Sequence, residues 1–195
     1  MRFPPVAPND MTPAQRDLAS SYRTGWRTTI ANADGSLGGP FDATLRSPEL
    51  AGRLGAVSNY FRDGTALPPR LNELAILVVA RHWDSDFEWH AHCAAALDAG
   101  LAREVVDGVN AGHTPAGMRA DEAIVFEVAT ELQSRHRLSD ATFERARSVL
   151  GERQLIDLVG VCGYYTLVAM MLATADVHPA SAPREGVPSL AARQP

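Results

Sequence analysis

The sequence predicts a single all-α domain. Three observations carry that reading: no segment sustains period-two alternation between hairpin turns, capped helix starts recur along the chain, and two segments, "LNELAILVVARHW" and Leu158 to Ala175, are apolar on nearly every face. A helix that is apolar all round must be covered by other helices, by a second subunit or by lipid. There are more such faces than one small bundle can hide, so an oligomer of identical chains is expected.

"MRFPPVAPND" opens the chain as an extended arm, residues 1–11, because proline removes a backbone donor and holds its predecessor extended. Thr12, Pro13 and Gln15 then give a capping box with proline at the first helical position, and a helix is predicted to about Asn32. "NADGSLGGPFD" reads as a glycine-rich loop, and Ser47-Pro48 starts a helix running to about Arg62. "DGTALPPR" separates that helix from the apolar one carrying Glu73. The chain breaks again at Trp83 to Ser85, and "DFEWHAHCAAALDA" follows as a helix closed by Gly100 in a left-handed cap. Helices are predicted near Arg103 to Ala111, from Met118 to His136, from a cap at Ser139 or Asp140 to Gly151, and from Glu152 to Val177. The domain thus spans residues 12–178. The tail, 179–195, is too rich in proline and small residues to pack alone, and is expected to be flexible or to wrap a partner.

Composition excludes several function classes. A formal charge of -5 with no basic cluster argues against nucleic acid and anionic membrane surfaces, both of which need concentrated positive charge. Every one of the 18 basic residues is arginine, which removes Schiff-base lysine chemistry. The two cysteines, Cys93 and Cys162, form no Cys-x-x-Cys pair, so neither a disulfide scaffold nor structural zinc is indicated and a reducing cytoplasm is expected. The prolines at the N-terminus do not suit an export signal. Leu158 to Ala175 approaches the length of a membrane span, but its glycines, tyrosines and threonine suit a buried or interfacial helix better, and no membrane partner is expected.

The chemistry concentrates in "SDFEWHAHC", residues 85–93. His90 and His92 are two apart, about 200° around a helix, so they cannot chelate one ion and no metal is expected. Cys93 follows His90 by one turn, which keeps it open as an alternative nucleophile, although the Ala-rich run behind it suits an inert buried thiol. Glu88 and His92 are also one turn apart, and a carboxylate so placed favours the imidazolium and fixes its ring, as a proton donor requires. The same Glu88 forms a capping box with Ser85, a purely structural role that competes with the first. Glu73 lies in an apolar segment where a charge needs a partner, and antiparallel packing across the Trp83 to Ser85 turn aims it at His92.

At these residues the sequence resembles the carboxymuconolactone decarboxylase family, which includes alkylhydroperoxidase D. The resemblance runs from about Gly39 to His178 and is most specific in "LPPRLNELAILVVARHWDSDFEWHAHCAAALDAGL". Counting from Glu73, the positions that hold cysteine, cysteine and histidine in the peroxidase branch hold Ser85, Glu88 and His92 here, so both redox cysteines are missing. The decarboxylase branch looks like a Glu-Trp pair followed by histidine, and Glu88, Trp89 and His92 fit it. The resemblance implies a helical bundle of the alkylhydroperoxidase D type, assembled as a trimer or hexamer, using no cofactor. It implies a lyase acting on a small cyclic carboxylated or lactone-like substrate, with His92 as proton donor or oxyanion stabiliser, Glu88 as its orienting partner and relay, and Glu73 as a second buried carboxylate. Glu88 suits the acid role less, since a helix N-terminus lowers its pKa. Arg70 and Arg81 are candidates to hold the substrate carboxylate, and Trp89 and Tyr164 to wall the pocket. The alternatives are a peroxidase-like antioxidant enzyme using Cys93, and a helical oligomer that binds a ligand without catalysis.

Overall fold

The computed structural model describes residues 2–22, 37 and 40–192. Among these, the chain forms α1 (Pro13–Ser21), α2 (Pro40–Thr44), α3 (Pro48–Asn59), a π-helical turn (Tyr60–Gly64), α4 (Pro69–His82), α5 (Asp86–Asp98), α6 (Arg103–Ala111), α7 (Ala120–Arg135) and α8 (Asp140–Ala175), with no strand. The all-α fold follows. Helix α4 is the axis of the bundle, with α5, α7 and α8 packed around it. From Leu74 to Ala80 it is apolar without a break and every one of these residues is buried, so that stretch is covered on all sides. Truncating one such side chain, Leu74 or Leu77, is worth about 2–5 kcal/mol because the surrounding helices cannot collapse into the space.

The predicted caps form in part. Thr12 accepts from the Gln15 amide while Gln15 accepts from the Thr12 amide, closing the box that starts α1, and Ser139 accepts from Thr142 to start α8. Helix α1 ends at Ser21 with Tyr22 as its cap, and the rest of the helix expected to Asn32 lies outside the described residues. The loop expected through Asp42 gives way at its end to α2, where Pro40 fits the first helical position and the buried Leu45 beyond its end anchors the turn. Gly151, at φ 73°, kinks α8 at the point where the sequence places a helix boundary.

Helices α4 and α5 double back across a tight turn. Asp84 adopts φ 50° and the Ser85 amide reaches the Ala80 carbonyl at 2.8 Å, the six-to-one bond that ends a helix by a left-handed residue. The π-helical turn is fastened to α8 by one carboxylate. Asp157 accepts from the Tyr60 hydroxyl at 2.8 Å, the Thr65 hydroxyl at 3.1 Å and the Ala66 amide at 2.7 Å. Phe61 can lie against α8 because Gly160 has no side chain: a Cβ there would come within 2.9 Å of the Phe61 ring.

Residues 184–191 of the tail lie along the body of their own chain. Arg184 pairs with Asp98, Arg103 donates to Gly186, Trp89 donates to Pro188 at 2.9 Å, and Asn110 brackets Ser189 and Ala191 as a backbone amide would. Helix α8 is long and apolar enough to cross a membrane by length and composition, and 39% of its most apolar stretch is buried within the chain. Ile156 is 69% exposed, and Val159 and, further along the same helix, Met170 are also exposed.

Asp157→Ala is expected to lower unfolding free energy by about 2–4 kcal/mol, since three donors lose a buried charged acceptor. Burial opposes ionisation of Asp157, but the Ala66, Tyr60 and Thr65 donors outweigh it and hold the carboxyl below its ordinary range. Its stabilisation is therefore complete above the ordinary carboxylate pKa and is lost as pH falls through the depressed value, so denaturant titrations of the wild type and the variant should converge in acid.

Candidate active site

The α4–α5 hairpin brings Glu73 and His92 together. Glu73 Oε2 lies 2.8 Å from His92 Nδ1, and because a carboxylate only accepts, Nδ1 carries the proton. The pair is shielded but not sealed, with side-chain exposures of 23% for His92 and 16% for Glu73. Burial opposes charge on the imidazole, yet Glu73, and beyond it Glu88, more than compensate, and the His92 pKa is raised. With Nδ1 occupied, Nε2 is bonded to no described residue.

Glu88 lies one turn before His92 in α5 and is 2% exposed. Neither carboxyl oxygen has a hydrogen-bond partner among the described residues, and the Ser85 hydroxyl is equally unpaired. The capping box expected from Ser85 and Glu88 does not form: Ser85 makes no side-chain cap, and Glu88 turns into the interior instead of back to the helix start. Burial pushes the Glu88 carboxyl up to about 7, against the opposing pull of the charge on His92. The expectation that the helix N-terminus lowers this pKa is thereby corrected, because desolvation outweighs the dipole for a carboxyl buried this deeply.

A cavity of about 250 Å³ opens against this cluster. Its floor is Phe87, Glu88, Ala91 and His92 of α5; α3 contributes Leu54 and Ser58, and α8 contributes Tyr164, Tyr165, Val168 and Met171. The Tyr165 ring meets His92 edge-on, with centroids 4.9 Å apart at 86°, and Tyr164 meets Tyr165 at 5.2 Å and 88°. Phe61 of the π-helical turn backs Tyr164 at 5.8 Å. The Glu88 oxygens sit just beneath the wall, so any proton held there reaches the cavity through a neighbour or a small side-chain rotation.

The remaining candidates lie elsewhere. Arg70 bonds Asp121 at 2.6 Å and also Glu122, fastening α4 to the start of α7. Arg81 bonds Asp84 and the Ala191 carbonyl, both at 3.0 Å. Both arginines make ion pairs and neither lines this cavity, where they were expected to hold a substrate carboxylate; Arg81 instead lines a separate cavity of about 690 Å³ with His82 and His113. Trp89 is a core residue pinned by the tail, not a pocket wall, whereas Tyr164 does line the cavity. Cys93 is fully buried on the opposite side of α5, and burial pushes its thiol up to about 11; the Cys162 thiol is pushed up to about 12. Neither is an activated thiolate. No group of three or more potential metal ligands occurs among the described residues.

Two residues at the site escape the sequence reading. Tyr165 is hidden in an apolar run, and the only signal that separates it from core is its placement next to a second tyrosine. Arg62 ends the predicted α3 and looks like a surface charge, yet it is an arginine whose field reaches both His92 and Tyr165.

A solved structure described as the alkylhydroperoxidase AhpD core, an uncharacterized peroxidase-related protein from Ralstonia eutropha JMP134, matches with a TM-score of 0.71. The match covers 91% of each chain at 14% identity, so the chain has the fold of that core. No family model matches the chain, and no curated protein matches it.

Glu88 generates a pH signature. Its pKa rises from 4.5 to about 7 on folding, so the folded state binds the extra proton between those values and stability falls as pH rises through that window. The total loss is on the order of 3 kcal/mol. Glu88→Gln, which keeps the neutral shape, should remove that slope from denaturant titrations run between pH 4 and pH 8.

Proposed function

We propose that the chain is a cofactor-independent acid/base enzyme that acts on a small lactone-like or otherwise enolisable carbonyl substrate, with decarboxylation of a carboxylated lactone as its reaction. The observation that carries this reading is the 2.8 Å contact between Glu73 and His92 at the edge of a cavity that also touches Glu88. An imidazole whose Nδ1 is tied to a carboxylate keeps one tautomer and one orientation, and it presents Nε2–H as a donor near neutral pH.

In the proposed step the bond between ring carbon and carboxylate breaks, its electron pair moves into the conjugated carbonyl, and carbon dioxide leaves. The resulting dienolate takes a proton at carbon from His92 Nε2, the carbonyl reforms, and neutral His92 is recharged from solvent or from Glu88. Apolar surroundings favour this chemistry, because a carboxylate that loses its hydration shell moves closer in energy to the charge-dispersed transition state. Glu73 positions His92 and stabilises its charge. Glu88 stores a proton whose pKa, about 7, matches the working range of the imidazole.

The alternative of a thiol peroxidase finds little support in Cys93, whose sulfur is sealed in the core and held protonated. The homo-oligomer, a trimer or hexamer, remains part of the proposal and is supported by the exposed apolar side chains Ile156, Val159 and Met170 on α8.

A screen of carboxylated unsaturated lactones and of peroxides tests the reading. Lactone turnover should fall by about 100- to 10,000-fold in His92→Ala, the usual range for one positioned acid, and should not change in Cys93→Ser. Peroxide turnover abolished by Cys93→Ser, with no lactone consumed, would overturn it. Sedimentation velocity at micromolar concentration reads the assembly, with a monomer counting against the oligomer.

A further inference from the structure

We infer that Tyr165 donates a hydrogen bond to the oxygen of the bound ligand, and that the cavity is built to hold an enolate, or a phenolate that imitates one. This rests on the acid/base reading above and adds the group that receives the developing oxyanion.

The argument begins with an unused donor. Buried and half-buried tyrosine hydroxyls ordinarily find a partner. The Tyr165 hydroxyl is bonded to none of the described residues, it is not among their sealed, unpaired buried atoms, and the residue lines the cavity. Its ring packs T-shaped against His92 at 4.9 Å and against Tyr164 at 5.2 Å. A preorganised donor beside a proton-transfer group is the arrangement that stabilises charge developing on a carbonyl oxygen. Tyr165 is also surrounded by groups that keep it protonated: burial first, then Glu73, Tyr164 and Glu88 raise its pKa well above the ordinary value, and Arg62 opposes them. It therefore donates throughout the range in which His92 titrates.

The rest of the lining selects the carbon skeleton. Phe41, Leu54, Phe87, Val168 and Met171 offer apolar surface, beside the hydroxyl-bearing Thr44, Ser58 and Tyr164. A flat conjugated ring satisfies such walls, with its single oxygen reaching toward Tyr165 and the adjacent carbon toward His92 Nε2. In the reaction, the enolate oxygen accepts from Tyr165 while its carbon–carbon double-bond electrons take the proton from imidazolium. The carbonyl reforms, the new carbon–hydrogen bond closes, and His92 is left neutral, with no oxidant or reductant consumed.

The test uses 4-nitrophenol as an enolate mimic and 4-nitroanisole, which has the same ring without the ionisable hydroxyl. Both are titrated into wild type and Tyr165→Phe, and absorbance reports whether the bound phenol is ionised. Phenolate binding should weaken about ten- to hundredfold in Tyr165→Phe, the effect of losing one hydrogen bond to a charged group, while anisole binding is unchanged. Equal weakening of both ligands, no change in either, or failure of the wild type to bind the phenol would each overturn the inference. The two proposals separate cleanly. Tyr165-dependent phenolate binding without turnover of any carbonyl substrate leaves the oxyanion site standing and removes the proposed reaction; His92-dependent turnover that is indifferent to Tyr165→Phe does the reverse.

Discussion

A carboxylate and an imidazole cannot both sit in an apolar bundle unless each neutralises part of the other's cost, and the Glu73–His92 contact is where this molecule meets that requirement. The contact fixes the register of the central hairpin. Sliding α5 along α4 by one residue would turn His92 away and leave Glu73 facing hydrocarbon alone, a penalty of several kcal/mol. The tight turn at Asp84 and the ionic pair thus specify the same alignment from opposite ends, and the cavity forms on the face of α5 that this alignment presents to α3 and α8.

Glu88 solves the burial problem differently. Its oxygens have no hydrogen-bond partner among the described residues, so it lowers its cost by taking up a proton and not by pairing. Two carboxyls on neighbouring helices therefore flank one imidazole in different surroundings. Glu73, being paired, favours charge on the ring. Glu88, being unpaired, keeps a proton within reach of it. This division arises from burial and hydrogen bonding alone, without any special residue type.

Much of this was legible in the sequence, for reasons that can be stated residue by residue. Proline at helix starts, Thr12 with Gln15, Ser139, and the glycine at 151 mark boundaries through backbone chemistry that does not depend on tertiary context. An acidic residue inside "LNELAILVVA" announces a buried partner because few other outcomes are affordable. What stayed hidden depended on direction. The one-turn spacing of Ser85 and Glu88 is compatible with a capping box or with an inward-facing acid, and only packing decides between them. Arg70 and Arg81 flank Glu73 in sequence, but their side chains leave α4 toward α7 and the tail, so proximity along the chain did not become proximity in space. Tyr165 was missed because an aromatic in an apolar helix is indistinguishable from core until its neighbour is known.

The kink at Gly151 divides α8 into two arms with separate duties. The first arm is held to α7 through Glu127, which receives both Thr142 and Arg145, whereas the second carries Asp157, Tyr164 and Tyr165. A continuous rod would transmit any displacement of one end to the other. The positive-φ glycine in the middle breaks the rod into two arms, so the orientation of the first arm is set separately from that of the arm lining the cavity.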